Sequence, residues 1–285
     1  RFYCSAETHS SIDKAVKVMG AGIANLVRID TDEHLAMSPK ALEDAILEDL
    51  SNGFTPCAVV AAVGTTGTVA IDPIRPIGAI CQKHGVWLHV DAAYAGTALL
   101  LPEQQHMIDG IELADSLVFN PHKWMFTNFD CTVYFIKDKE TLIKSFEILP
   151  EYLKTKTRGQ VNDYRDWGVP LGRRFRALKL WMVIRDFGMD GIRKRLREHI
   201  GYAQWFVDQI EASQGFELVI PHQLNVVCFR YIGKNLSAVA MDQANEQLLS
   251  VLNSSGEAYL THTKVKGKYT IRMVIGQTYV QQRHV

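Results

Sequence analysis

Asn120-Pro121-His122-Lys123-Trp124 follows directly on the strand-like run Ser116-Leu117-Val118-Phe119, and this junction decides the fold. A short apolar run that gives way to a loop bearing a lysine is how α/β proteins present their chemistry, at the carboxyl ends of sheet strands. The lysine itself has two readings. It is either a solvated surface side chain, the usual fate of the residue type, or an amine desolvated enough to lose its proton and bond to a carbonyl carbon. Taken alone, the motif favours the surface reading.

About thirty residues upstream lies His89-Val90-Asp91-Ala92-Ala93-Tyr94-Ala95-Gly96. Trp87 to Val90 reads as a short buried strand, so Asp91 falls at its carboxyl end. The small residues after it, Ala93 among them, allow a flat ligand to approach the backbone. A carboxylate and a lysine at the ends of two strands of one sheet suit pyridoxal 5′-phosphate. The lysine holds the aldehyde, and the carboxylate keeps the pyridine nitrogen protonated so that the ring accepts electrons.

Four further segments keep a fixed order around these two: Tyr3-Cys4-Ser5 with His9-Ser10-Ser11, Gly64-Thr65-Thr66-Gly67, Asn128-Phe129-Asp130-Cys131, and Pro170-Leu171-Gly172-Arg173-Arg174-Phe175-Arg176. Together the six segments resemble the group II pyridoxal-phosphate decarboxylases, and among them most the aromatic-L-amino-acid decarboxylases. The resemblance runs nearly end to end. It implies a fold-type I, pyridoxal-phosphate-transferase-like large domain with a mostly parallel sheet, taken as residues 1–178, and a small C-terminal α+β domain over 179–285 together with its linking helices.

Composition bounds the reading independently. The chain has 285 residues, 47% hydrophobic and 22% charged, enough to bury a sizeable core. Thirty-one basic residues balance thirty-one acidic ones, so no global field favours nucleic acid or an anionic membrane. Five scattered cysteines without a CxxC pair read as reduced thiols of a cytoplasmic protein. No apolar run reaches the length of a membrane span. The first residue is Arg1, Phe2-Tyr3 reads as strand interior, and the family continues beyond Val285, so a segment of a longer protein is expected.

The element pattern supports an α/β core. Ser10 or Ser11 is placed to cap a helix with Ile12, Ala15, Val16 and Met19 inward. Ser38-Pro39 opens a second helix carrying Leu42, Ile46 and Leu50 inward, stopped by Gly53. Ala58 to Val63 is apolar throughout, as a parallel strand covered on both faces requires. Asp72-Pro73 starts a helix that Gly85 closes. A strand follows at Thr132 to Ile136, then a helix from Lys139 to Glu147. Two helices are expected after Gly172, broken near Gly188, and the C-terminal part carries strands, a helix from Ser237 and a hairpin turning at Lys266-Gly267-Lys268. His84 and His89 lie on a helix end and the next strand, not on one face, so no metal site is expected.

The resemblance also assigns roles. Lys123 carries the cofactor, Asp91 faces its pyridine nitrogen, and His9 stacks on its ring. Thr66 lies beside the ring, Ala93 and His122 contact the cofactor, and the Asn120 amide reaches its phosphate. The rest of the phosphate cradle and much of the substrate pocket are implied to lie before Arg1. On residue type alone His9 and Thr66 read as ordinary surface or turn residues. Tyr152, in the long polar stretch Leu149 to Gly168, reads as a solvated side chain; the resemblance makes it the proton donor, on a loop that reaches the neighbouring subunit of a homodimer. Gly172 points to an aromatic substrate, and Tyr152 with His9 to release of an amine rather than an aldehyde. The alternatives are a histidine- or glutamate-specific decarboxylase, an aromatic aldehyde synthase, and a catalytically inactive segment that only folds or dimerises.

Overall fold

A computed structural model of the chain describes residues 1–148 and 164–285. Six strands, β1 (Phe2–Ser5), β2 (Leu26–Ile29), β3 (Ala58–Ala62), β4 (Trp87–Asp91), β5 (Ser116–Phe119) and β6 (Val133–Ile136), form one sheet in the order β2-β1-β3-β4-β5-β6. All neighbours are parallel except β5 and β6, which run antiparallel at the edge. The strand order turns between β1 and β3, and the carboxyl ends beside such a turn are where open α/β sheets bind ligands. The register sets Ala62, Asp91 and Val118 side by side across β3, β4 and β5.

Helices α1 (Ser11–Val18), α2 (Pro39–Ser51) and α3 (Ile74–His84) lie between the first four strands. The central strands are apolar because both faces are covered: Val59, Ala61, Leu88 and Val90 are all fully buried. Helix α2 begins as its sequence dictates, with the Ser38 hydroxyl accepting the Ala41 N–H and Pro39 in the first turn. Gly85 ends α3 in the left-handed conformation with φ 66°.

Three sequence expectations are corrected. Ser10 makes no side-chain cap on α1; the His9 ring accepts the Ser11 N–H instead, at 3.1 Å. The apolar residues of α1 do not all enter the core: Val16 is buried, Ile12 and Ala15 line a cavity, and Met19, at the helix's C-terminal cap, is 56% exposed. Leu50 also points outward. Helix α3 begins after Asp72-Pro73 as expected, with no side-chain cap from Asp72. The Asp72 carboxylate accepts the N–H groups of Met37 and Ala62, each at 2.7 Å, tying the loop after β2 to the end of β3.

After the short helices α4 (Pro121–Trp124) and α5 (Lys139–Phe146), the long α6 (Arg176–Ala212) runs across both parts of the molecule. It departs from helical geometry at Gly188, φ 64°, where the sequence places a break. The second sheet, β7 (Phe216–Leu218), β8 (Val226–Tyr231), β9 (Thr261–Val265) and β10 (Lys268–Val274), is antiparallel in the order β7-β8-β10-β9. Helix α7 (Ala238–Ser255), capped by Ser237, packs against it. The fold is the α/β one expected. Among the described residues no helix is long and apolar enough to cross a membrane.

Candidate active site

At the carboxyl ends of β1, β3, β4 and β5 lies a cavity of about 510 Å3, within the range of small-molecule sites. Each wall comes from the residue that leaves a strand. His9 follows β1, Gly64 to Thr66 follow β3, Asp91 ends β4 with Ala93 and Tyr94 beyond it, and Asn120 and Lys123 follow β5. Ile12 and Ala15 of α1 close one side.

The backbone is shaped for this. Gly64 has φ 90°, and a Cβ there would sit 2.6 Å from Ala95 Cβ, so only glycine lets the chain turn beneath the cavity. Pro121 starts α4 at a position that needs no N–H donor, and Lys123 N–H returns to the Asn120 carbonyl at 2.9 Å. One turn of helix thus swings the Lys123 side chain back over the strand ends.

Lys123 and Asp91 line the same cavity and interact electrostatically. Burial holds the Lys123 ammonium below the usual lysine range, and the Asp91 charge opposes that only in part. Its side chain remains open to solvent because the cavity itself admits water, while the surrounding walls supply the desolvation. Asp91 is fixed by the Ala93 N–H, which donates to Oδ1 at 3.0 Å. His9 is oriented by the Ser11 N–H bond to Nδ1, which leaves the other ring nitrogen as the proton carrier of the neutral form.

The structure gathers His9, Thr66, Asp91, Ala93, Asn120 and Lys123 around one space. It does not bring His122 or Gly172 there. His122 turns away, its Nδ1 set against the Cys131 backbone, 2.7 Å from the carbonyl oxygen and 3.0 Å from the amide nitrogen, and its ring meeting Phe129 edge-on. Gly172 is exposed, with nothing within 4 Å of where a Cβ would stand. Tyr152 lies outside the described residues. The two remaining motif segments meet each other: Arg174 and Arg176 pair with Asp130 at 2.8 and 2.9 Å and hold its carboxyl below the usual range.

Two wall residues escaped the sequence reading. His89 stands two residues before Asp91 on β4, hence on the same face. Its Nδ1 lies 2.8 Å from Ser116 Oγ, and burial pushes its pKa down, so it is neutral. Strand alternation was the signal that could have found it. Tyr94 stacks on Trp124 at 5.4 Å with the rings 4° apart; nothing local in the sequence marks that pairing.

The donor set fits pyridoxal 5′-phosphate: an amine of reduced basicity, a carboxylate across the same space, an aromatic ring at the rim and a small methyl at Ala93. The Asn120 Oδ1, buried without a hydrogen-bond partner among the described residues, is an acceptor open to a donor from water or a bound molecule.

Comparison with known proteins shows the family and the fold. The family described as the pyridoxal-dependent decarboxylase conserved domain matches residues 1–232. A tyrosine decarboxylase of Narcissus pseudonarcissus is 42% identical over 287 residues, covering 99% of this chain and 57% of that protein. A phenylacetaldehyde synthase of Arabidopsis thaliana is 40% identical over 288 residues, covering 99% and 59%. The crystal structure of Oryza sativa TDC with PLP and tryptamine superposes with a TM-score of 0.96 at 37% identity, over 99% of this chain and 59% of that one. The chain thus spans a little under 60% of the length of these relatives.

Proposed function

The chain belongs to the pyridoxal-dependent decarboxylase family, and we propose that it serves the decarboxylation of an aromatic L-amino acid, giving the corresponding amine and CO2 with pyridoxal 5′-phosphate as cofactor. The observation that carries this reading is the pairing of Lys123, its ammonium weakened by burial, with Asp91 across one cavity at adjacent strand ends.

The cofactor, when bound, supplies a conjugated ring that takes up the electron pair left as the carboxylate departs. The protein does the rest. Lys123 would hold the cofactor through its amine, whose lowered proton affinity raises the neutral fraction near neutral pH. Asp91, pinned by the Ala93 N–H, would face the ring nitrogen and favour its protonated form. His9 would support one face of the ring, Thr66 and Ala93 would bound its edge, and the Asn120 amide N–H would donate to the phosphate. His122 contributes from behind the cavity by bracing the Cys131 backbone.

Tyr152 returns the proton to the substrate's α-carbon, from a loop that in a homodimer enters the partner's cavity, and Gly172 leaves room there for a phenol or indole ring. Residues 1–178 form the large domain and 179–285 the linking helices and small domain. A second reading, oxygen-dependent release of an aldehyde, is favoured by the similarity to the phenylacetaldehyde synthase. Tyr152 and His9 argue for the amine.

The test is a product analysis of the full chain with added cofactor, on tyrosine, tryptophan, DOPA, phenylalanine, histidine and glutamate, measuring CO2, amine and aldehyde. Stoichiometric CO2 and amine from an aromatic substrate are expected, with Tyr152→Phe shifting product toward aldehyde. Turnover confined to histidine or glutamate, aldehyde as the wild-type product, or no turnover would overturn the proposal.

A further inference from the structure

Three distant parts of the chain converge on the indole of Trp124, the residue after Lys123. Trp124 is fully buried, so its single N–H donor needs a partner. It donates to Nδ1 of His199 on α6 at 3.0 Å, and the two rings lie 16° from parallel. Tyr94, a wall of the cavity, covers the indole in a second stack. The backbone leaving β10 passes so close that a Cβ on Gly276 would stand 3.5 Å from Trp124 Cδ1. The Gln277 backbone takes up the imidazole on its other side.

His199 is itself buried. The groups that face it are Arg195 one turn earlier on α6, the edge of Phe126, the indole and the Gln277 peptide. Burial, with the Arg195 charge, depresses its pKa to about 4. At neutral pH it is uncharged, so Nδ1 is a permanent acceptor and the other nitrogen the donor. Helix α4 is only one turn long, and its buried anchors are Pro121 and Trp124. A single turn has no cooperative helix to hold its direction. Whatever fixes the indole therefore fixes the turn.

The geometry points to His199 as a positioning residue for Lys123: by accepting the Trp124 N–H it sets both the turn that aims the lysine and the Tyr94 wall, and couples them to the exit of β10. This rests on the reading of Lys123 as the cofactor-bearing amine.

The experiment compares the wild-type chain with His199→Leu, which removes the acceptor at similar volume, and His199→Asn, whose amide oxygen can occupy the Nδ1 position. Two quantities are read. One is the hydrogen-exchange rate of the Trp124 indole N–H by NMR without cofactor, assigned through Trp124→Phe. The other is the rate at which pyridoxal phosphate forms a borohydride-reducible bond at Lys123. In His199→Leu the indole proton should exchange at least about tenfold faster and labelling slow by about tenfold, as expected of a displaced reactive group, while far-UV dichroism stays unchanged. His199→Asn should restore both.

Labelling of His199→Leu at the wild-type rate would overturn the inference. Should that variant fail to fold, Trp124→Phe answers the same question, and wild-type labelling in it would overturn the inference equally. Absence of label on Lys123 in the wild-type chain would remove the reading of the cavity and this inference with it, an outcome distinct from wild-type labelling that ignores His199.

Discussion

At the scale of the residue, the chemistry turns on how much water the strand ends remove from one amine. The folded pKa of Lys123 lies below the ordinary lysine value of 10.5. Above that value the amine is neutral in both folded and unfolded chain, and burial costs nothing. As pH falls below it, the unfolded chain takes a proton that the folded one does not, and stability is lost until the folded pKa is reached. Lys123→Met should therefore raise the thermal midpoint of the cofactor-free protein at pH 7, with a gain that shrinks as pH approaches 10. A lower midpoint, or a gain independent of pH, would mean that the site does not desolvate the amine. The positions of Lys123 and Asp91 at strand ends were legible because each ends or follows an apolar run, whereas Thr66 was singled out only by the family resemblance. His89 was weighed only as half of a metal pair, and strand alternation, which puts it beside Asp91, went unused. His122 shows the converse: a motif position assigns a role, yet the direction of its side chain is set by the Cys131 backbone nine residues on.

Elements are held in place here partly by buried charge. Asp72 is fully buried, and burial raises its carboxyl pKa to about 6, even though the Ala62 and Met37 N–H groups favour the ionised form. A carboxyl whose folded pKa is raised contributes most stability below its ordinary value of 3.8 and loses it as pH climbs through about 6. The difference corresponds to about 3 kcal/mol. Urea unfolding at pH 4 and pH 7 should thus show a loss of that order in the wild type that is missing in Asp72→Asn. Equal pH slopes in the two proteins would refute the assignment. The sequence marked Asp72-Pro73 as a helix start, and α3 does begin there. What it could not mark was the carboxylate's partners, 10 and 35 residues away. The exposure of Met19 was likewise hidden, since helical periodicity reports an apolar face and not where the covering side chains stop.

For the molecule as a whole, the two sheets are joined by polar bonds that cross at the cavity. Asn225, fully buried, bonds the Tyr94 hydroxyl and the Ile275 carbonyl, each at 2.7 Å through its amide nitrogen. Arg272 of β10 donates to the Gly67 carbonyl at 3.0 Å. Two sheets stitched at such points should unfold together, giving coincident transitions by dichroism and tryptophan fluorescence. Asn225→Ala, which strands two buried polar partners, should cost about 1–3 kcal/mol; separate transitions in the wild type would contradict the coupling. The α/β class and a small C-terminal α+β part could be read from the sequence, but the antiparallel direction of β6 could not. The joints could not, because Tyr94 and Asn225 stand 131 positions apart and neither carries a local mark. The account as a whole is tested most directly by adding pyridoxal phosphate to the intact chain, reducing with borohydride and mapping the modified peptide. Label confined to Lys123, abolished in Lys123→Ala and weakened in Asp91→Asn, is the result expected. Label spread over surface lysines, or label on Lys123 indifferent to Asp91, would contradict it.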